Sequence, residues 1–263
     1  MLNKLKMAKF SLQGQGHRLM GLESQDSLVF YRGKDAVLLA VSDGVSSEPD
    51  SKCGSVILTM ALRALVSCNL EQVGSQLWEL ARENRGKAAG LLVSWLDSEL
   101  QQKLRGWQRE LGADALSILS ATVIAVIITK SFTMAFGCGD GLILVNGKVF
   151  QVSSDLDRTP DLPAESLTKG GDTGRSELAG KLKLIGVWAT DEIHSIGVGT
   201  DGVAEFMPLV VSQVALGEGG DPISLNDFVR RVIAVTGNSP LPHDDASFIG
   251  AWFPSIGSDP AET

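Results

Sequence analysis

Cysteine is scarce in this chain of 263 residues, and none of its cysteines belongs to a Cys-x-x-Cys pair. The three residues, Cys53, Cys68 and Cys138, are an odd number and lack metal-ligand spacing. This argues against a disulfide scaffold and against a thiolate zinc site. We therefore expect a protein of a reducing compartment, which for this chain means the cytoplasm.

The chain also lacks a basic excess and a long apolar run. Its formal net charge is -8, whereas nucleic-acid binding needs a basic face. The longest apolar run, residues 121–129, has the length of a strand and is too short to span a membrane. The first residues are mildly basic but contain no uninterrupted apolar segment or cleavage site of a signal peptide. We expect no nucleic-acid partner and no membrane.

The overall composition, with 44% hydrophobic and 21% charged residues, is that of a folded domain. Residues 1–263 are predicted to form a single domain, with a flap or loop at about 153–180 and a flexible tail at 254–263. The predicted strands and helices come in groups, which favours an α+β fold of antiparallel sheets with helices outside. Strands are predicted at 27–31, 36–41, 122–129, 132–137, 142–145, 148–152, 182–190, 193–199 and 246–252, and helices at 55–70, 75–111 with a break near 84–86, 201–210 and 225–235.

Aspartates recur where apolar runs break into glycine or polar residues: Asp26, Asp43, Asp140, Asp201 and Asp244. A strand that ends in Asp-Gly carries a carboxylate past the edge of its sheet, and the glycine leaves room for a ligand. Mg²⁺ and Mn²⁺ prefer such oxygen ligands. A single Asp-Gly is usually a turn, and Asp201 could simply cap the helix that follows. The set of five is stronger evidence for a metal centre than any one member.

In chain order, these aspartates lie in short blocks: Gln25-Asp26, Ser42-Asp43-Gly44, Gly139-Asp140-Gly141, Thr200-Asp201-Gly202 and Asp244-Asp245-Ala246-Ser247. The blocks resemble the signatures of the type 2C, metal-dependent protein serine/threonine phosphatases. Ser120-Ala121-Thr122, before a buried strand, resembles the same family. The stretch GHRLMGLESQDS is similar to the first block of its bacterial branch. The resemblance covers about residues 14–250.

The resemblance implies a central antiparallel β-sandwich flanked by helices, in four αββα layers, with a centre of two Mn²⁺ or Mg²⁺ ions at one end. The implied ligands are Asp26, Asp43, the carbonyl of Gly44, Asp201 and Asp244, with Asp43 bridging both ions. Asp245 is the alternative to Asp244. A third, weaker ion would use Asp140 and Glu205, although Glu205 also fits an ordinary surface position.

The chain departs from the family at three positions, one of which is Asp245 in the last block, where asparagine is commoner. Many members carry a phosphate-binding arginine where this chain has Gly21, so His17 or Arg18 would have to contact the phosphate. Some members carry a histidine where this chain has Val45, so His17 or a metal-bound water would have to protonate the leaving group. The alternatives are a solvated surface charge for Arg18 and a hydrogen-bonded strand-end histidine for His17.

The activity implied is hydrolysis of phosphoserine and phosphothreonine in a protein substrate, in keeping with a serine/threonine kinase pathway. Two divalent ions lower the pKa of a water and neutralise charge on the phosphoryl group, so no Ser, Cys or His nucleophile is needed. No cysteine has an arginine six positions later, as a cysteine-based phosphatase would require. Two alternatives remain: a catalytically degenerate module that binds phosphoproteins, and a hydrolase for a small phosphorylated metabolite.

Overall fold

The computed structural model describes residues 2–48, 50–152, 162–164, 182–206 and 242–253, without the side chains of residues 69, 71–75, 205 and 206. These residues form ten strands and four α-helices. The strands are β1 (Lys6–Leu12), β2 (Ser27–Arg32), β3 (Ala36–Ser42), β4 (Val123–Thr129), β5 (Phe132–Cys138), β6 (Gly141–Val145), β7 (Lys148–Val152), β8 (Lys183–Ala189), β9 (Ser195–Gly199) and β10 (Ala246–Trp252). The helices are α1 (Gln15–Met20), α2 (Ser51–Glu83), α3 (Arg85–Leu111) and α4 (Ala115–Leu119).

The strands form two five-stranded antiparallel sheets. Sheet I has the order β2-β3-β4-β5-β8, and sheet II has the order β1-β10-β9-β6-β7. Together with the helices, they confirm the predicted α+β fold with a central antiparallel sandwich. The predicted helix at 225–235, the tail at 254–263 and nearly all of the predicted flap lie outside the described residues.

The side chains of strand β3 pack into a core on each face of sheet I. Side chains alternate along a strand. Val37, Leu39 and Val41 point into the core between the sheets, whereas Leu38 and Ala40 belong to the core beneath the helices. All seven residues of β3 are buried. Its continuous apolar run is thus the pattern of a strand with one layer packed on each side.

Helices α2 and α3 cover the outer face of sheet I with rows of leucines, among them Leu58, Leu62, Leu92 and Leu96. The break predicted near 84–86 is confirmed: the Asn84 side chain accepts a hydrogen bond from the N–H of Lys87 at 2.9 Å and caps α3.

The first of these helices is longer than the sequence predicted, since α2 runs without interruption from Ser51 to Glu83. Its first part, Ser51–Cys68, has a mean hydropathy of 1.3 and the length of a membrane span, but half of it is buried inside the protein. Packing against sheet I accounts for this apolar character.

The N-terminal region corrects the prediction that the strands begin at residue 27. Residues Lys6–Leu12 form β1, which pairs along its whole length with β10. Only Phe10 of this strand is fully buried, so the apolar alternation that identifies a strand in sequence is weak there. The short helices α1 and α4 were not predicted either. The hairpin at Asn146-Gly147 is confirmed, with positive φ at both residues as a type I′ turn requires.

Candidate metal centre

Asp26 and Asp43 flank a pair of neighbouring strands in sheet I. Asp26 immediately precedes β2 and Asp43 immediately follows β3. Because Ser27 pairs with Ser42 in the antiparallel ladder, the two aspartates emerge at the same end of the sheet. Only 3% of Asp26 is exposed, whereas Asp43 is partly buried.

Contacts with the segment before β4 fix the backbone at Asp43. Its N–H donates to Oγ1 of Thr122 at 3.2 Å, and its carbonyl accepts from the N–H of Thr122 at 2.8 Å. Gly44 forms an isolated bridge with Ala121. A Cβ at Gly44 would lie 2.7 Å from Oγ of Ser51, at the start of α2. Glycine is therefore required there by close approach, and its carbonyl is held beside Asp43.

Asp201 and Asp244 come from sheet II in the same way. Asp201 follows β9 and opens a 3₁₀ helix, Asp201–Phe206, and Asp244 lies just before β10. These strands are paired, with Phe248 opposite Gly199. A Cβ at Gly202 would lie 2.1 Å from the carbonyl oxygen of Asp245. The two segments thus pack backbone against backbone at one end of sheet II.

Asp140 lies where the chain passes from one sheet to the other. It joins β5 of sheet I to β6 of sheet II, between Gly139 with φ +100° and Gly141 with φ +148°. These conformations favour glycine on both sides. The side chain of Asp140 is close enough to Asp201 to raise its pKa. All five aspartates of the predicted set therefore belong to one end of the sandwich.

Burial and crowding act together on these carboxyl groups. Burial raises the pKa of Asp26 from 3.8 to about 6, against hydrogen bonds that lower it. Burial, followed by the negative charges of Asp26, Asp201 and Asp244, raises the pKa of Asp43 well above its usual value. Burial, then Asp140 and Asp244, also raise the pKa of Asp201. The centre has an excess of negative charge that a cation would neutralise.

One oxygen of Asp26 fits a cation directly. Its Oδ2 accepts a hydrogen bond from Oγ1 of Thr200 at 2.8 Å, whereas its Oδ1 is buried and has no hydrogen-bond donor among the described residues. A buried carboxylate oxygen without a donor is costly unless it meets a cation or a shared proton. The donor set, of carboxylates and a backbone carbonyl, suits Mg²⁺ or Mn²⁺.

In their present orientations, the carboxylates do not form a complete metal coordination sphere. Across the described residues, no group of three or more His, Cys, Asp or Glu side chains is arranged to hold a metal. Asp201 directs Oδ1 to the N–H of Gly202 at 2.7 Å, and Thr200 occupies one oxygen of Asp26. The side chain of Glu205 lies outside the described atoms, so its predicted role has no geometry here.

Asp244 and Asp245 have different environments. Asp245 is 1% exposed and uses both oxygens for the N–H groups of Gly14 and Gln25 and for the ring of His17. Asp244 is half-buried, accepts the N–H of Asp245 through Oδ1, and contributes charge to Asp43 and Asp201. This arrangement favours Asp244 as the ligand.

His17 and Arg18 lie next to each other in α1 but face different surroundings. His17 is buried, with its Nδ1 2.9 Å from Oδ2 of Asp245. Arg18 is exposed and lines a surface groove of about 560 Å³ together with Gly21 and Ser24. The described lining of this groove includes none of the predicted metal ligands. Of the two candidates for a phosphate contact, Arg18 is the accessible one.

Several residues that support the centre have little or no signal in the sequence. The hydroxyl of Thr200 joins Asp26 to the N–H of Ser247, at 2.8 and 2.9 Å. The ammonium group of Lys52 donates to the carbonyl of Asp26 at 2.8 Å. Thr200 precedes Asp201 within its block, which is a weak local signal. Nothing in the sequence around Lys52 indicates its contact.

Comparison with known proteins identifies the family to which this arrangement belongs. A family model described as protein phosphatase 2C matches residues 13–239. The chain belongs to the protein phosphatase 2C family, which is metal-dependent. No curated protein matches it significantly.

Solved structures agree with this family in fold. The chain is similar to the serine/threonine phosphatase Stp1 from Staphylococcus aureus, with 14% identity, 94% of each chain covered and a TM-score of 0.60. It is also similar to the S. agalactiae serine/threonine phosphatase, with 18% identity, 94% and 99% covered and a TM-score of 0.57. A third similar structure is RsbX in complex with magnesium, with 13% identity, 94% of each chain covered and a TM-score of 0.51.

Proposed function

We propose that this chain is a Mn²⁺- or Mg²⁺-dependent phosphatase that hydrolyses phosphoserine and phosphothreonine in a protein substrate in the cytoplasm. The observation that carries the proposal is the group of five aspartates, drawn from both sheets to one end of the sandwich, with burial and mutual repulsion raising the pKa of three of them. Such repulsion destabilises the protein unless cations relieve it, so the centre has the properties of a cation site.

Asp26, Asp43, Asp201, Asp244 and the carbonyl of Gly44 would hold the central ions. Bound there, the ions supply an activated water and neutralise phosphoryl charge. The protein's part is to fix the donors: Thr122 holds the backbone of Asp43, and Thr200 holds the side chain of Asp26. Asp201 would turn one oxygen from Gly202 towards an ion, a side-chain rotation that requires no change of fold.

Binding of the phosphoryl group would fall to the ions and to Arg18. Gly21 occupies the position of the usual arginine, and Arg18 is the exposed cation of the same segment. An arginine can donate two parallel hydrogen bonds to a phosphate. The buried His17 has its Nδ1 engaged by Asp245, which makes a water, rather than this ring, the better source of a proton for the leaving group.

The competing function is a phosphoprotein-binding module without turnover. It is favoured by Gly21, which stands where many members of the family carry an arginine, and by Val45, which stands where some carry a histidine. The two functions share fold and binding surface and differ only in whether phosphate is released. A binding module would hold a phosphopeptide in the presence of Mn²⁺ and leave it intact.

The decisive experiment measures phosphate release from a phosphothreonine peptide and from p-nitrophenyl phosphate. The purified protein is assayed with Mn²⁺, with Mg²⁺ and with excess chelator. Release that depends on the added ion and stops with chelator supports the phosphatase. Peptide binding without release supports the module. Release from small phosphates but not from phosphopeptides would instead indicate a metabolite phosphatase.

A further inference from the structure

We propose that His17 and Asp245 form a positioning pair, here named the His17–Asp245 clamp, which aligns the first and last ligand segments and thereby sets the cation affinity of the centre. The clamp would act through Asp26 and Asp244 and would not touch the reacting atoms. This inference rests on the proposed metal-dependent function.

The carboxylate of Asp245 is the meeting point of three donors from one distant segment. Its Oδ1 accepts the N–H of Gly14 at 2.7 Å, and its Oδ2 accepts the N–H of Gln25 at 2.5 Å and lies 2.9 Å from Nδ1 of His17. Asp245 is 1% exposed and His17 is 5% exposed. A shielded carboxylate with three donors is a rigid anchor, because breaking any contact leaves a buried polar group unpaired.

The anchor lies one residue from a candidate ligand on each side. Gln25, which donates to it, is followed by Asp26, and Asp245 itself is preceded by Asp244. Backbone contacts extend the junction, since the N–H of Gln15 donates to the carbonyl of Pro242 at 2.9 Å. A shift of this junction would therefore displace a ligand from sheet I relative to a ligand from sheet II.

The chemistry of the junction explains why the last block begins with two aspartates, Asp244 and Asp245. Asparagine, commoner in the family at the position of Asp245, offers one acceptor oxygen and an NH₂ group. With its oxygen towards His17 and Gln25, the NH₂ group would face the N–H of Gly14. Aspartate accepts from all three donors. The buried position of His17 and the presence of aspartate at 245 are thus explained together, by the hydrogen bond between them.

A pair of amide substitutions separates positioning from other roles. In His17→Asn, the amide nitrogen can take the place of Nδ1 and keep the hydrogen bond to Asp245. In His17→Gln, the longer side chain carries its amide nitrogen towards the position of Nε2 and loses that bond. Thr133→Val is the control for an effect on stability alone. It removes a buried 3.0 Å contact between the hydroxyls of Thr133 and Thr190. Thr133 lies near the start of β5, at the end of the strand away from Asp140.

The measurements are the Mn²⁺ dissociation constant by calorimetry, the melting temperature without metal, and the rate as a function of Mn²⁺. We expect His17→Gln to weaken Mn²⁺ binding by about 10- to 100-fold, the usual effect of losing a contact that orients metal ligands. His17→Asn should restore most of this affinity. The rate that His17→Gln loses at low Mn²⁺ should return as Mn²⁺ is raised.

Three results would overturn the clamp. The first is an unchanged Mn²⁺ affinity in His17→Gln, whatever its rate. The second is equal weakening in the Asn and Gln variants, which would mean that the hydrogen bond is irrelevant. The third is the same weakening in Thr133→Val, which would reduce the effect to general stability. A wild-type protein that binds no Mn²⁺ would refute the proposed function itself, and the clamp with it.

Discussion

The hydroxyl of Thr200, just after β9, donates a 2.8 Å hydrogen bond to Oδ2 of Asp26, just before β2. The bond joins sheet II to sheet I inside the candidate centre. It leaves Oδ1 of Asp26 as the oxygen without a donor among the described residues. One hydroxyl therefore orients a carboxylate so that a single oxygen remains for a cation.

Asp43→Asn should abolish most activity. Asp43 is the carboxylate surrounded by Asp26, Asp201 and Asp244, and the amide would remove its charge without changing its shape. Charge stabilisation by a metal is worth several kcal/mol, so we expect kcat to fall by about 100-fold or more. Asp35→Asn is the control, since Asp35 lies in a turn and pairs with exposed Lys130 at 3.0 Å. Wild-type turnover in Asp43→Asn would refute the bridging role.

Arg18→Ala should raise the KM for a phosphothreonine peptide. A charge-assisted hydrogen bond contributes about 1.5–3 kcal/mol, which corresponds to a rise of about 10-fold or more. Lys34→Ala removes another exposed cation, from the turn between β2 and β3 at the far end from Asp26, and should leave KM unchanged. An identical KM in both variants would mean that Arg18 is only a surface charge.

Mn²⁺ should stabilise the protein more at about pH 7.5 than at about pH 5, because protons and cations compete for the same carboxylates. The folded pKa of Asp26 is about 6, above its ordinary 3.8. Without metal, its contribution to stability is fully present below about 3.8 and is lost as pH rises through about 6. Melting temperatures with and without Mn²⁺ test this. An equal shift at both pH values would contradict it.

Asp140→Ala should lower kcat while the central ions stay bound in a calorimetric titration. A water bound to the third, weaker ion that Asp140 would help to hold would give a proton to the leaving group. The loss should therefore be larger for alkyl phosphates than for p-nitrophenyl phosphate, whose leaving group hardly needs a proton. Equal losses on both substrates would exclude the acid role. Loss of the central ions would make Asp140 a structural support.

Gly202→Ala should destabilise the fold and weaken Mn²⁺ binding, because the added Cβ would lie 2.1 Å from the carbonyl oxygen of Asp245. Gly106→Ala is the matched control in α3, where a Cβ meets nothing within 4 Å. There the same change should stabilise the protein by about 0.5–1 kcal/mol, through helix propensity. Urea unfolding measures both. A stable Gly202→Ala protein with normal Mn²⁺ affinity would show that the close packing is dispensable.

The parts of the fold that were predictable from sequence are those whose signal is local. The strand at 246–252 was predicted with the bounds that β10 has, because apolar residues predominate in it and polar residues flank it on the N-terminal side. The turn at Asn146-Gly147 was predictable because both residue types tolerate positive φ, and the break at Asn84 because asparagine caps helices. In contrast, β1 is an edge strand with one fully buried residue, and its pairing with β10 depends on residues more than 230 positions away.

The candidate site likewise contains residues with a local sequence signal and residues whose role depends on distant contacts. The five aspartates could be chosen because each ends or precedes an apolar run. The family resemblance already implied Asp244 as the ligand, with Asp245 as the alternative. The contacts that distinguish the two side chains, with donors from Gly14, His17 and Gln25, could not be predicted from sequence. Likewise, the burial of His17 beside an exposed Arg18 follows from how α1 packs against the segment before β10. Contacts between distant segments leave no pattern in a single sequence.

The origin of the ligands in both sheets has a mechanical consequence. A cation held by Asp43 from sheet I and Asp201 from sheet II would act as a removable cross-link between the two halves of the sandwich. Its effect should be directional: amide hydrogen exchange would slow at the joined ends of β3 and β9 and change little at the outer strand β7. The metal would thus set not only the chemistry but also which end of the sandwich opens first.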